Sequence, residues 1–448
     1  MFKLVKLSID QCYMFLVGAL GTKITYTLVN GEIKNLIAFF HYPSLFFILQ
    51  LLLFWGALFI KKTLKIGVLG LACNLFLIIY KTYPLTINHF FLEFIILVLI
   101  FISSESKKDL LSDKRNIKNL ILYLQILYIS VWIYSGIQKI FWGYYLNGEM
   151  FALSYLNSKE STNSLVRIQH FLIDNLTTFK SIFIPPCCTN KELVFPGIVK
   201  FIFMAQGWLV GLCEITFPVF LIFKRTRIIG FLLVLVLQLT IALSSGEWDF
   251  AVSSSILLVS LFYLHNKFEL KYFWPLKKMK SYFPFGIIIC LLIWPTIHMV
   301  LSGKGHFSSW RFFGWGMYAT PHPQDGVTTN IIFYSKKVLP KLNNYSKSND
   351  LKGVRYFIFD GENLQKINGD NYLFKKMIKV ANTYFLHIPN EKHQKKLVEI
   401  ALNLLKLEEN DFKGAALIKT RQRLNLHHNK LYTMENIYKV KFKSNKIN

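Results

Sequence analysis

Residues 119–141 read NLILYLQILYISVWIYSGIQKIF, and no charged side chain appears in them before Lys139. A helix needs ~20 residues to cross ~30 Å of hydrocarbon, so this stretch reads as a membrane span. Runs of the same kind recur at 40–60, 66–84, 88–104, 200–223, 227–245, 248–265 and 283–301. A ninth, at 5–27, is interrupted by Asp10 and Lys23; it carries no small-residue cleavage site and reads as a retained first helix. The whole chain agrees. Of 448 residues 53% are hydrophobic and 17% charged, against about 25% charged in soluble domains. Mean hydropathy is +0.37. The fold class expected is an all-α polytopic membrane bundle of 8–9 transmembrane helices, followed by a C-terminal α+β domain outside the cytoplasm.

Charge in the loops sets the orientation. Lys61-Lys62-Thr63-Leu64-Lys65, the loop 105–118 with Lys107, Lys108, Lys114, Arg115 and Lys118, Lys224-Arg225-Thr226-Arg227, and the loop 266–282 with five lysines fall on alternate sides of the spans. Basic loops stay in the cytoplasm. Gly246-Glu247-Trp248-Asp249 is acidic and faces the other way. The pattern places the long loop 142–199 and everything after 302 outside, with the cell membrane as the location and the lipid bilayer as the first partner.

Two domains follow: a transmembrane domain over 1–302 and an extracytoplasmic domain over 303–448. In the second, Val327–Lys336, Val354–Phe359, Ala415–Lys419 and Ile437–Phe442 read as strands, and 371–386 and 391–407 as helices. From residue 333 onward, 23 Lys plus Arg face 10 Asp plus Glu. The net charge of +27 matches no nucleic-acid motif, and nucleic acid is not an expected partner. The six cysteines have no metal-site spacing; Cys12, Cys73, Cys213 and Cys290 read as small apolar residues. Cys187-Cys188 lies in the outer loop, where oxidation is open.

Candidate chemistry sits at the outer ends of spans. His89 begins a span running inward and Lys139 ends one running outward, so both lie near one membrane face. An ionisable residue there is costly unless it has a role or a partner. A lysine is a base only as the neutral amine, which apolar surroundings favour. The alternative for Lys139 is snorkelling to the interface. Glu214 falls inside the span 200–223 and must be protonated or paired. Trp132, Tyr134 and Trp142 read as an aromatic belt, and Glu149, Glu247 and Asp249 as solvated.

These residues, in this order, resemble the vitamin K-dependent gamma-carboxylases and the wider horizontally transferred transmembrane (HTTM) family. The likeness rests on Asn88-His89, on Gly136-Ile137-Gln138-Lys139 followed by Gly148-Glu149, and on Glu214 with Pro218. It extends to Phe307-Ser308-Ser309-Trp310-Arg311 with Met317, and covers roughly residues 10–320. The resemblance implies that Lys139 is the base that deprotonates reduced vitamin K or another quinol. Oxygen then adds, the strong base so formed takes a proton from a peptide glutamate, and carbon dioxide adds to the carbanion. It also implies that Asn88 and His89, with Glu214 nearby, bind the quinol, that no metal is used, and that a secreted or membrane-associated peptide is the substrate. Gln238 stands where many relatives carry histidine. Three readings remain open: a quinol-dependent carboxylase, a maturation or immunity factor for a secreted peptide that does not carboxylate, and a transporter.

Overall fold

The computed structural model describes residues 8–29, 64–82, 88–103, 114–142, 145–157, 196–245, 248–274 apart from 266, 279–303, 327–335, 353–359, 364–367, 412–425 and 430–441, plus isolated positions among 52–55, 171–175 and 398–399. Nine α-helices run α1 (Ile9–Val29), α2 (Leu64–Thr82), α3 (Asn88–Ser103), α4 (Lys114–Trp142), α5 (Glu149–Asn157), α6 (Gly197–Phe220), α7 (Arg227–Ser245), α8 (Trp248–Leu258) and α9 (Met279–Gly303) among the described residues. Eight of the nine apolar runs coincide with helices. The run 40–60 lies almost wholly outside the described residues. Among the described residues three helices are long and apolar enough to cross a membrane: Arg115–Trp142, Gly197–Phe220 and Tyr282–Leu301. Four shorter apolar helices accompany them, at Leu64–Leu77, Phe90–Ser103, Arg227–Leu243 and Trp248–Leu264.

The chain divides into two compact units. The first holds Met1–Phe141, Val210–Val300 and Ser309–Ala319; the second holds Trp142–Leu209, Leu301–Ser308 and Thr320–Asn448. In the first, α4 is the axis. Its apolar window is 78% buried, against 28% for those of α6 and α9. Leu120, Leu124, Leu127, Tyr128, Val131 and Trp132 all lie in the core. By contrast α6 and α9 leave Leu212, Ile293, Ile297 and Val300 exposed, a surface suited to lipid tails.

Trp132 and Tyr134 correct the aromatic-belt expectation. Trp132 is fully buried and packs on Phe250, with ring centroids 6.0 Å apart. Tyr134 donates to the Leu292 carbonyl at 2.8 Å. The Trp132 ring serves helix packing, and the Tyr134 hydroxyl, on a half-buried side chain, ties α4 to α9. Helix α8 passes into a π-helix at Val259–Leu264. Gln125 stabilises that end by donating to the Leu261 and Lys267 carbonyls, each at 2.7 Å, which supplies partners for carbonyls the wider turn leaves over.

In the second unit a tight turn enters α5. Gly148 has φ +71, a conformation glycine adopts without strain. Its amide donates to the Tyr145 carbonyl at 2.9 Å. Glu149, expected to be solvated, is 6% exposed in the first turn of α5. A carboxylate there meets the positive end of the helix dipole. Among the described residues five strands form one sheet in the order β3-β2-β1-β4-β5: β1 (Val327–Ser335), β2 (Gly353–Phe359), β3 (Leu364–Ile367), β4 (Phe412–Asn425) and β5 (Lys430–Lys441). The pair β1/β2 is parallel, from Thr328↔Gly353 to Tyr334↔Phe359; the other pairs are antiparallel. Strands β4 and β5 run longer than their apolar centres at 415–419 and 437–442. Lys419, Arg421 and Arg423 continue β4 because ladder pairing with β5 carries past them to Asn425↔Lys430. The expected helices 371–386 and 391–407 lie outside the described residues, apart from 398–399.

Candidate functional site

The site is set by a close helix crossing. Gly136 on α4 faces α6, where a Cβ at residue 136 would come within 2.6 Å of Ile215 Cγ1 and 2.7 Å of the Gly211 carbonyl oxygen. Small residues at such a point let backbones approach where larger ones hold them apart. The order of contacts shows that the helices run antiparallel. Gly136 meets Glu214 and Ile215, Ile140 meets Gly211, and Tyr145 beyond α4 meets Gly207. Three residues after each crossing glycine, one turn along its helix, comes a charged residue: Lys139 after Gly136, and Glu214 after Gly211.

These two meet. Lys139 Nζ lies 2.6 Å from Glu214 Oε2, with both side chains 1% exposed. Lys139 also donates to Ser135 Oγ at 2.9 Å, one turn back on its own helix. The requirement that Glu214 be paired or protonated is met by Lys139, and Lys139 is buried rather than snorkelling. Glu214 Oε1 is buried and has no hydrogen-bond partner among the described residues. A buried carboxylate oxygen of this kind is an acceptor for a hydroxyl donor.

Asn88 and His89 form the first turn of α3, but their side chains lie outside the described residues, and so does the cavity expected between His89 and Lys139. Gln238, the departure from the resemblance, is buried and fully engaged. Its Nε2 donates to Tyr128 OH at 2.5 Å and to Ser254 Oγ at 2.8 Å, and its Oε1 accepts from Ser255 Oγ at 2.6 Å. Here it ties α4, α7 and α8 together.

A second buried pair was not anticipated. Lys23 on α1 lies 2.6 Å from Glu93 Oε1 on α3, with side chains 3% and 1% exposed. Ser253 on α8 donates to the same oxygen at 2.5 Å. Lys23 also lies 5.9 Å from the centre of the Phe90 ring. Glu93 Oε2, like Glu214 Oε1, is buried without a partner among the described residues. The available signal was Glu93 itself, a carboxylate inside an apolar run that needs a cation or a proton.

Compared with protein-family models, curated proteins and solved structures, the chain has no match.

Proposed function

We propose that this is an integral membrane enzyme of eight or nine spans, acting like a gamma-glutamyl carboxylase on a secreted or membrane-associated peptide. On this reading the α+β segment after residue 303 lies outside the cytoplasm. The observation that carries the proposal is the buried contact of Lys139 Nζ with Glu214 Oε2 at 2.6 Å. Base chemistry needs the neutral amine. Passing one proton from Nζ to Oε2 yields amine and carboxylic acid, and the pair is net neutral before and after. A base thus arises without an uncompensated charge in an apolar site, where such a charge is costly. Ser135 Oγ holds the nitrogen in place through the transfer. Glu214 Oε1 accepts a hydroxyl donor beside the amine, and Asn88 and His89 complete the binding of a quinol. Reduced vitamin K or another quinol, when bound, would supply the reducing equivalents, and oxygen as the oxidant would take them up to make a strong base.

The test uses the protein in lipid vesicles with reduced vitamin K, oxygen, labelled bicarbonate and a glutamate-rich peptide. Label should enter the peptide, and Lys139→Ala should lose it. No label with correctly folded wild-type protein sinks carboxylation and leaves the maturation or immunity reading. A reporter fused at residue 340 tests the orientation and should be active only outside the cytoplasm.

A second reading, proton-linked transport, is favoured by the Lys23–Glu93 pair. Transporters place ionisable groups inside the bundle, and this pair joins three helices there.

A further inference from the structure

At the end of α4 away from Lys139, a short segment is tied to the bundle. Lys118 and Lys139 are 21 residues apart on α4, about 30 Å along the helix, which matches the thickness of a hydrocarbon core. Residues 267–274 follow the π-helix, and α4 holds both ends of them. Gln125 Nε2 donates to the Lys267 carbonyl at 2.7 Å, Tyr123 OH to the Phe273 carbonyl at 3.1 Å, and Lys118 Nζ to Tyr272 OH at 3.2 Å. A single 3-10 turn at Leu270–Tyr272 closes the middle, where the Tyr272 and Phe273 amides donate to the Glu269 and Leu270 carbonyls.

What this tethered segment presents is amphipathic. Leu270 is 61% and Trp274 69% exposed. Trp274 is nevertheless held, with the rings of Phe273 and Phe285 centred 5.7 and 5.9 Å away. Cations stand beside them. Lys118 and Lys271 each lie 5.1 Å from the centre of the Tyr272 ring, so their ammonium groups are no more than 10.2 Å apart. Lys118, Lys267 and Arg227 all act through their charge on His265, just before the segment, and Glu269 acts with the opposite sign. Arg227 is committed to the Leu221 and Ile222 carbonyls, at 2.8 and 3.2 Å. Lys267 and Lys271 are exposed, and Glu269, 3.7 Å from Lys271, offsets only part of the charge. Over 114–119, 221–227 and 265–274 there are eight Lys and Arg against that one carboxylate. Lysines in such excess attract phosphate at a membrane surface, while an exposed tryptophan beside them suits the boundary between headgroups and chains. Free phosphate answers only the first of these features, and a neutral lipid only the second.

We propose that residues 267–274 form a binding site for an acidic phospholipid, its phosphate among Lys118, Lys267 and Lys271 and its acyl chains beside Leu270 and Trp274. The inference needs the bundle to sit in a membrane and is independent of any chemistry at Lys139.

The test uses the whole protein in phosphatidylcholine vesicles and follows Trp274, whose emission is the difference between wild type and Trp274→Phe. Lipids brominated on their chains quench tryptophan on contact. Brominated phosphatidylglycerol should quench Trp274 to saturation at a low share of the lipid, whereas brominated phosphatidylcholine should quench only in proportion to its share. A lysine at an anionic lipid surface contributes about fivefold in affinity, so Lys267→Gln with Lys271→Gln should raise the share of brominated phosphatidylglycerol needed for half-quenching by about 25-fold. If the double variant does not insert, Lys271→Gln alone should raise it by about fivefold. Inorganic phosphate carries the charge without the chains, and at millimolar concentration it should restore no more emission than sodium chloride of equal ionic strength. Equal quenching by the two brominated lipids overturns the proposal, and so does unchanged quenching in the lysine variants. Displacement by phosphate beyond the chloride control overturns the assignment to a lipid.

Discussion

The two buried ion pairs have the same 2.6 Å contact and nearly equal burial, yet they are assembled in different ways. Lys139 and Glu214 come from two antiparallel helices whose backbones are drawn together by Gly136 and Gly211. Lys23 and Glu93 come from helices that α8 joins, and the third contact is a side chain, Ser253. In the first case the backbone fixes the distance. In the second, side chains do, and each can turn about its own bonds. Preorganised geometry suits a group that reacts with a positioned substrate. A side-chain cluster suits proton exchange, which asks only for contact.

The largest effect expected is on stability. Lys139→Met leaves Glu214 buried beside no cation, and breaking a buried pair this way costs about 3–5 kcal/mol. Replacing both, as Lys139→Met with Glu214→Leu, should recover most of that loss, since apolar substitution of a whole pair is often neutral. Lys23→Met should cost less than Lys139→Met, because Ser253 still donates to Glu93. Thermal unfolding in detergent reads all three. Equal losses in the single and the double variant would break the comparison, since the pair would then contribute nothing of its own.

Activity separates the pairs next. Arginine keeps a cation opposite a carboxylate but does not give up its proton. Lys139→Arg should therefore lower quinol-dependent labelling by about 10²–10⁴ while the protein stays folded. Lys23→Arg should remain within about tenfold of wild type, because it lies outside the reacting pair. Full activity in Lys139→Arg would show that Lys139 only balances Glu214.

Much of the bundle was legible because hydropathy is a local property. The runs 66–84, 88–104, 119–141 and 227–245 fall on α2, α3, α4 and α7. The resemblance placed Glu214 near the Lys139 site, but the residues alone did not name its partner, which lies 75 residues away in sequence. Lys23 read as a defect in the first span, when it is the cation that Glu93 requires 70 residues later. Trp132 is corrected for a related reason. An aromatic residue near a span end is either at the interface or against another helix, and composition does not say which. Gln238 looked like a weakness beside a family pattern; its meaning depends on Tyr128, Ser254 and Ser255, which only packing brings to it.

The glycine crossing makes a more local prediction. Gly136→Ala places a methyl against the Gly211 carbonyl and Ile215, and a backbone atom cannot swing aside. The helices must separate, at about 1–3 kcal/mol for overpacking, and the Lys139–Glu214 contact lengthens with them. Gly286 on α9 is the control, because nothing lies within 4 Å of a Cβ built there. Gly286→Ala should stabilise by about 0.5–1 kcal/mol, the usual helix gain over glycine. Opposite signs in thermal unfolding support the close crossing, and a gain at both positions would remove it.

The smallest effects come from the two serines, and they bear most directly on the contrast between backbone and side-chain assembly. Ser135 accepts a hydrogen bond from Lys139, but Lys139 keeps Glu214 when that hydroxyl is gone and the glycine crossing still fixes the distance. Ser135→Ala should cost about 0.5–1.5 kcal/mol, the ordinary net value of one hydrogen bond. Ser253 donates to Glu93, whose other oxygen already has no partner among the described residues. Its removal takes one of two donors from a buried carboxylate with no glycine crossing to hold the remaining contact. Ser253→Ala should cost about 1.5–3 kcal/mol, the value for bonds to charged groups. The order of the two variants is the decisive quantity, measured by thermal unfolding under one set of conditions. If Ser135→Ala is the more damaging, Lys139 depends on its own helix more than on the crossing, and the distinction drawn between the two pairs fails.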